Sequence, residues 1–144
     1  MDTDTLLQKV DVMTGEQFER FVCWLFQERN YKVQRVGTTL YCNRQRRIIG
    51  RFYQTLRDFG ADIIAEKEGE RIAVQTKRCR RPVGKKDVKQ AFFALKHYGC
   101  HKALVISNNG YTQSALRYAS RKRIALWNRE LLISAVRENM AILS

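Results

Sequence analysis

Acidic side chains are in short supply: 14 Asp and Glu stand against 27 Lys and Arg, for a formal net charge of +13. That imbalance disfavours basic partners. It points to nucleic acid ahead of an anionic membrane surface, with plain solubility as the alternative. Cysteine is sparse too. Cys23, Cys42, Cys79 and Cys100 form no CxxC pair, which argues against zinc and against a secreted disulfide framework. They read as reduced thiols, mostly filling core space. No apolar run nears the roughly 18 residues of a membrane span. The opening MDTDTLLQKV lacks the basic-then-apolar pattern of a signal peptide. The expectation is a soluble, cytoplasmic protein with no membrane partner. The isolated glycines match neither phosphate-loop nor dinucleotide spacing, and no cofactor-binding residues are assigned. Histidine occurs twice, His97 and His101. At this spacing a lone pair reads as surface residues rather than metal ligands.

What is present centres on residues 61–78, ADIIAEKEGERIAVQTKR. The pattern predicts two strands joined at Glu68-Gly69-Glu70, with Asp62 on the first and Gln75 and Lys77 on the second. Alternation puts Gln75 and Lys77 on one side and Val74 and Thr76 on the other. Antiparallel pairing would carry Asp62 to the same end of the sheet, held rigid by Ile63, Ile64, Ile72 and Val74. Carboxylate, amide oxygen and ammonium would then converge. Such a set contains no serine- or cysteine-type nucleophile, and it suits Mg²⁺ chemistry on a phosphodiester. Lys77 would orient a water or offset charge in the transition state. The structural alternative is a buried Asp62–Lys77 ion pair, a weak source of stability.

Around this hairpin the chain reads α-β-β-β-α-β-α-β-α. Residues 1–13 form an N-terminal lead-in. Thr14 and Gln17 make a capping-box pattern opening a helix to about Arg29, with Phe18, Phe21, Val22, Leu25 and Phe26 on one face. Glu19 lies at the margin of that stripe, either leaning over what the helix packs on or facing solvent. Tyr31–Val36 alternates as a strand. Residues 37–59 are a basic insertion in which Arg44, Arg46, Arg47, Arg51 and Arg57 interleave with Tyr41, Phe52 and Tyr53. It suits a phosphate-tracking segment, or a surface loop of mutually repelling arginines. Beyond CRRPVGKK, Asp87–Tyr98 reads as a helix on Val88, Ala91, Phe92 and Leu95, stopped by Gly99. Lys102–Ser107 reads as a strand covered on both faces. Thr112 caps a helix over Ser114–Arg121, Ile124–Trp127 reads as another buried strand, and Glu130 to about Asn139 as a helix on Leu131, Leu132, Ala135 and Val136. There is no repeat, low-complexity tract or linker, so residues 1–144 are expected to form a single domain. The fold class is α/β, a central mixed β-sheet flanked by helices on both faces.

The GAD of Gly60–Asp62 followed by the QTK of Gln75–Lys77 resembles the PD-(D/E)xK nuclease superfamily, specifically its Mrr-like restriction endonuclease branch. Asp58, Gly60 and Asp62 are similar to the D-x-G-x-D approach, and Gln75 with Lys77 to the Q-x-K signature. GEQFERFVCWLFQERNYKVQRV is similar to the first helix and strand, which puts Glu19 at the family's helical acid. VGKKDVKQAFFALKHYG, KALVISNNGYTQSALRYA and IALWNRELL resemble the remainder, so the likeness runs from Thr14 to about Leu132. The resemblance implies a restriction-endonuclease-like fold and Mg²⁺-dependent DNA cleavage, with Mn²⁺ as a substitute. Asp62, Gln75, Glu19 and the Thr76 backbone carbonyl would hold the ion, with Lys77 as the catalytic amine. Arg44, Arg46, Arg47, Arg51, Arg78, Arg80, Arg81, Lys85 and Lys86 would grip the phosphates of duplex or branched DNA. A homodimer is expected, and a larger assembly could supply target recognition. Gln75 stands where the wider superfamily has Asp or Glu, so the substrate is expected to help recruit the ion. A junction-resolvase type of nuclease and a non-catalytic DNA-binding module of the same fold are the alternatives.

Overall fold

A computed structural model describes residues 2–36 and 61–143, with side chains described as far as Asn139. The basic insertion with Arg44, Arg46, Arg47 and Arg51 lies outside the described residues, as do Asp58, Gly60 and Cys42. The elements are α1 (Thr3–Asp11), α2 (Gly15–Gln27), β1 (Lys32–Arg35), β2 (Ile63–Lys67), β3 (Glu70–Lys77), α3 (Lys85–His97), β4 (Lys102–Ser107), α4 (Gln113–Lys122), β5 (Ala125–Trp127) and α5 (Arg129–Leu143). The strands lie in sequence order. β1, β2 and β3 pair antiparallel, while β3, β4 and β5 pair parallel. This is the α/β mixed sheet that the sequence pattern implies.

Strand alternation sorts the core into two layers. Ile63, Ala65, Ile72, Val74, Leu104 and Ile106 leave one face to meet α1, α2 and α5. Ala103 and Val105 leave the other to meet α3 and α4, where Ala91, Ala115 and Ala119 allow close approach. Local signals set several boundaries. Thr14 Oγ1 accepts the Gln17 N–H at 3.1 Å and Gln17 Oε1 accepts the Thr14 N–H at 2.9 Å, the reciprocal box expected from the sequence. Thr112 Oγ1 likewise accepts the Ala115 N–H. The hairpin turns on Glu68 (φ 52°) and Gly69 (φ 81°). Two consecutive positive φ values mark a type I′ turn, whose twist matches its strands. Glu70 is therefore the first residue of β3 rather than part of the turn.

Four expectations need correction. The lead-in contains a helix, α1, capped by Asp2 accepting the Thr5 N–H and buried through Leu7 and Val10. Asp62 precedes β2 instead of lying on it. Leu131 is half exposed, so α5 packs through Leu132, Ala135 and Val136. β5 is not covered on both faces: Ala125 is exposed, because the strand is an edge of the sheet. Among the thiols, burial pushes Cys23 up to about 11, so it packs as a neutral apolar group, while Cys79 and Cys100 are part-buried.

A polar brace ties the C-terminal ends of the strands together. Asn108, after β4, accepts the Cys79 N–H at 2.8 Å and donates to Asp11 Oδ1 at 3.1 Å. Arg129, opening α5, donates to the same Asp11 oxygen at 2.6 Å. Burial works to raise the Asp11 pKa, but the Arg129 and Asn108 hydrogen bonds outweigh it and hold the carboxyl below its ordinary 3.8. Its stabilising contribution is therefore present above that value and is lost as pH falls through the lower folded pKa. Asp11→Ala is expected to destabilise the protein by about 1 kcal/mol at pH 7, discounted for partial exposure, and by progressively less as the carboxyl is protonated in acid. Thermal melts across that pH range check it.

Candidate active site

The site is built where β1, β2 and β3 meet. β1 and β2 pair up to Arg35↔Ile63, and β2 and β3 up to Ile63↔Val74. One step further, Asp62 stands beside Gln75. Its backbone is still in the sheet, with Asp62 N–H donating to Val74 O and Asp62 O accepting the Val36 N–H. Its carboxylate replaces the missing next residue of β2: Oδ2 accepts the Thr76 N–H at 2.8 Å and the Thr76 hydroxyl at 3.0 Å. The N–H and C=O of one strand residue point to the same neighbour. The Thr76 carbonyl therefore shares the edge that Asp62 closes.

Gln75 and Lys77 leave the α3 face of β3, as the alternation predicts. Gln75 is 6% exposed, and its Oε1 is buried with no hydrogen-bond partner among the described residues. An unsatisfied buried acceptor costs about 1–3 kcal/mol, so its retention calls for an explanation. Lys77 does not form the alternative ion pair with Asp62. Its Nζ lies 3.2 Å from Asp87 Oδ1, in the first turn of α3. The side chain is thereby held on the α3 face beside Gln75.

Glu19 reaches the same edge from the other face. It is buried at 8% exposure, which decides against the solvent-facing alternative. Arg35 Nε donates to its Oε1 at 2.7 Å, and Arg35 also approaches Glu16 at 3.7 Å. Both glutamates stand on α2, which Arg35 faces because it shares a side of β1 with Val33. Burial raises the Asp62 pKa, and the Glu19 charge adds to this. The Thr76 hydrogen bonds and the Lys77 charge oppose it without cancelling it. A carboxylate held ionised here at neutral pH is short of positive charge.

Those features are what a divalent cation would remedy. Among the described residues no three His, Cys, Asp or Glu side chains gather as a ready metal cage. Any ion here would find neutral oxygens, such as the Gln75 amide, beside the Asp62 carboxylate. The orphaned Gln75 oxygen next to an under-compensated carboxylate fits a hard oxygen-ligated ion. His97 is exposed, and His101 Nδ1 accepts the Arg71 N–H at 3.0 Å; neither belongs to this set.

Comparison with known proteins decides the family. The Mrr catalytic-domain family, described as restriction endonuclease, matches residues 10–136, a span containing Glu19, Asp62, Gln75 and Lys77. The chain belongs to the Mrr family. Its fold is similar to that of a protein of unknown function, AF1548, seen in a crystal structure. The TM-score is 0.53 at 17% identity, over 76% of this chain and 55% of that one. The Mrr-family chain thus spans just over half the length of that neighbour. No curated protein matches the sequence significantly. No described helix is long and apolar enough to cross a membrane.

Those of the expected phosphate-contacting residues that are described follow β3 in the chain. Arg80, Arg81 and Lys86 are exposed just beyond β3, and Lys85 is part-buried. Arg78 is turned inward, donating to the Asp11 carbonyl at 3.4 Å. Two residues escaped the sequence reading. Arg35 was discoverable from strand alternation, which places it with Val33 toward the helix. Asp87 was visible as the one acid in KKDVK, but its partner came from another element.

Proposed function

We propose that this Mrr-family chain is a Mg²⁺-dependent endodeoxyribonuclease, with Mn²⁺ able to substitute. The observation that carries the reading is the buried, unpartnered Gln75 oxygen beside Asp62. Asp62, Gln75 and the Thr76 carbonyl would hold the ion, with Glu19 contributing directly or through water. When bound, the ion supplies Lewis-acid polarisation of the phosphodiester and lowers the pKa of a coordinated water. Thr76 fixes the Asp62 rotamer through two hydrogen bonds to one oxygen. Arg35 holds Glu19 against the sheet edge. Lys77, steadied by Asp87, orients the attacking water and offsets the negative charge that builds on the phosphoryl oxygens. Arg80, Arg81, Lys85 and Lys86 hold the flanking phosphates, joined by the arginines of the basic insertion. Gln75 leaves the ligand set one negative charge short of a three-carboxylate site, so substrate phosphate would help recruit the ion. A homodimer would present two such edges to the two strands of a duplex.

Plasmid nicking tests the reading. Wild-type protein with Mg²⁺ or Mn²⁺ should convert supercoiled DNA to nicked and linear forms, and Asp62→Ala should not. Absence of cutting by pure wild type on supercoiled, linear, branched and methylated DNA, with binding retained, would leave a non-catalytic DNA-binding module. Preference for four-way junctions over linear duplex would assign a resolvase-like role instead. Gln75→Leu supplies a separate check. It removes the unsatisfied acceptor, so the metal-free melting temperature should hold or rise, while any rise induced by Mn²⁺ should disappear.

A further inference from the structure

No acidic residue occurs between Asp87 and Glu130, a span that includes all of α4 and α3 beyond its first turn. Asp87 itself is occupied by Lys77. The α3–α4 face therefore carries cations with nothing on either helix to neutralise them. Their placement is ordered by two rings that meet edge to face at 6.4 Å, Phe92 and Tyr118. Lys85 Nζ lies 5.7 Å and Arg121 Cζ 6.0 Å from the Tyr118 ring centre. Lys96 Nζ lies 4.6 Å and Lys122 Nζ 5.0 Å from that of Phe92. Each ring gathers one cation from α3 and one from α4, so both helices contribute charge to the same seam. Beside it is a concavity of about 420 Å³ lined by Lys85, Ser114, Arg117, Ser120 and Arg121, three cations and two hydroxyls without a carboxylate.

The seam has a direction. α3 leaves the end of β3 that carries Lys77, and its first residue, Lys85, is two positions from Asp87. From there the helix runs back beside the sheet for about 20 Å, at 1.5 Å per residue. Charges of one sign spread over that length match a polyanion better than a single small anion. We propose that the α3–α4 face is a phosphate-backbone track that holds the arm of DNA leaving the active edge. The inference rests on the nuclease reading for its substrate, and it adds Arg117, Arg121, Lys96 and Lys122 to the contact surface.

The test compares Arg117→Gln/Arg121→Gln/Lys122→Gln with the charge-conserving Arg117→Lys/Arg121→Lys. Binding to a 40-base-pair duplex is followed by fluorescence anisotropy in EDTA across a salt series. Each lost phosphate contact should flatten the log–log salt slope by about 0.9, so the Gln variant should lose about 2 to 3 units of slope and at least about tenfold in affinity. The Lys variant should keep both. An unaltered slope in the Gln variant overturns the proposal, as does an equal loss in the Lys variant, which would assign the effect to packing. Phe93 and Leu116 are also exposed on these helices. Loss of binding to phosphatidylserine vesicles with an unchanged DNA slope would overturn the track in favour of a membrane contact. Because the readout needs no cleavage, a changed slope in a protein that never cuts DNA sustains the track and sinks the nuclease reading alone.

Discussion

Lys77→Met is expected to slow DNA cleavage by about two to three orders of magnitude while barely altering duplex affinity. Removing one preorganised electrostatic donor from a hydrolytic site typically costs about 10²–10³ in turnover. Methionine preserves the length and apolar stem of the side chain, so the change removes charge with little loss of packing. Asp87 loses its partner, but it sits in the first turn of α3, where the helix dipole favours an anion, and it retains access to water. The fold should therefore survive, and the salt slope should change by no more than about 0.9, the value of one phosphate contact. Single-turnover cleavage at saturating protein, alongside metal-free anisotropy, separates the two effects. Equal losses in rate and affinity would show that Lys77 is a binding residue and not part of the chemistry.

Asp62→Asn should abolish cleavage and, in metal-free buffer at neutral pH, raise the melting temperature by a few degrees. The sign follows from the carboxyl's surroundings. Burial, reinforced by the Glu19 charge, lifts the folded pKa of Asp62 above its ordinary 3.8. Below that value the group is protonated whether the chain is folded or not, and the substitution should change little. As pH rises through the window between the unfolded and folded values, the folded state is increasingly penalised, and the penalty persists above it. Asparagine removes the charge and still offers Oδ1 to the Thr76 N–H and hydroxyl. A gain of about 1 kcal/mol corresponds to roughly 3–5 °C for a domain of this size. The stabilisation should therefore be seen at pH 7 and fade toward pH 3. Mn²⁺ should raise the melting temperature of wild type and leave the variant unmoved. A variant less stable than wild type at pH 7 would mean that the ionised carboxylate holds the fold together.

Much of the architecture is legible because its causes are local. The Thr14–Gln17 box, the Thr112 cap, the Glu68-Gly69 turn and the apolar run of β4 each depend on residues within a few positions. α1 escaped because its apolar face is narrow: Leu7 and Val10 are buried and Leu6 partly so, while the rest of TDTLLQKVD is polar, and the helix gains its stability by packing on the sheet and α5. Leu131 misled for the opposite reason, being apolar yet facing solvent.

At the site, alternation was enough to put Gln75 and Lys77 on one face, and the hairpin enough to bring Asp62 to their end. Partners could not be read. Glu19 is buried because Arg35 folds over it from β1, and Lys77 turns to Asp87 because α3 begins where β3 ends. The unsatisfied state of Gln75 Oε1 depends on everything packed around it, which no spacing rule records.

Crystals grown with a non-hydrolysable phosphorothioate duplex and soaked in Mn²⁺ would address the core of this account most directly, through anomalous difference density. The arrangement predicts one peak within coordination distance of Asp62, Gln75 Oε1 and the Thr76 carbonyl, with a phosphate oxygen of the duplex among its ligands. A bound duplex with no peak between Asp62 and Gln75, in protein that still cleaves the native DNA, would contradict it.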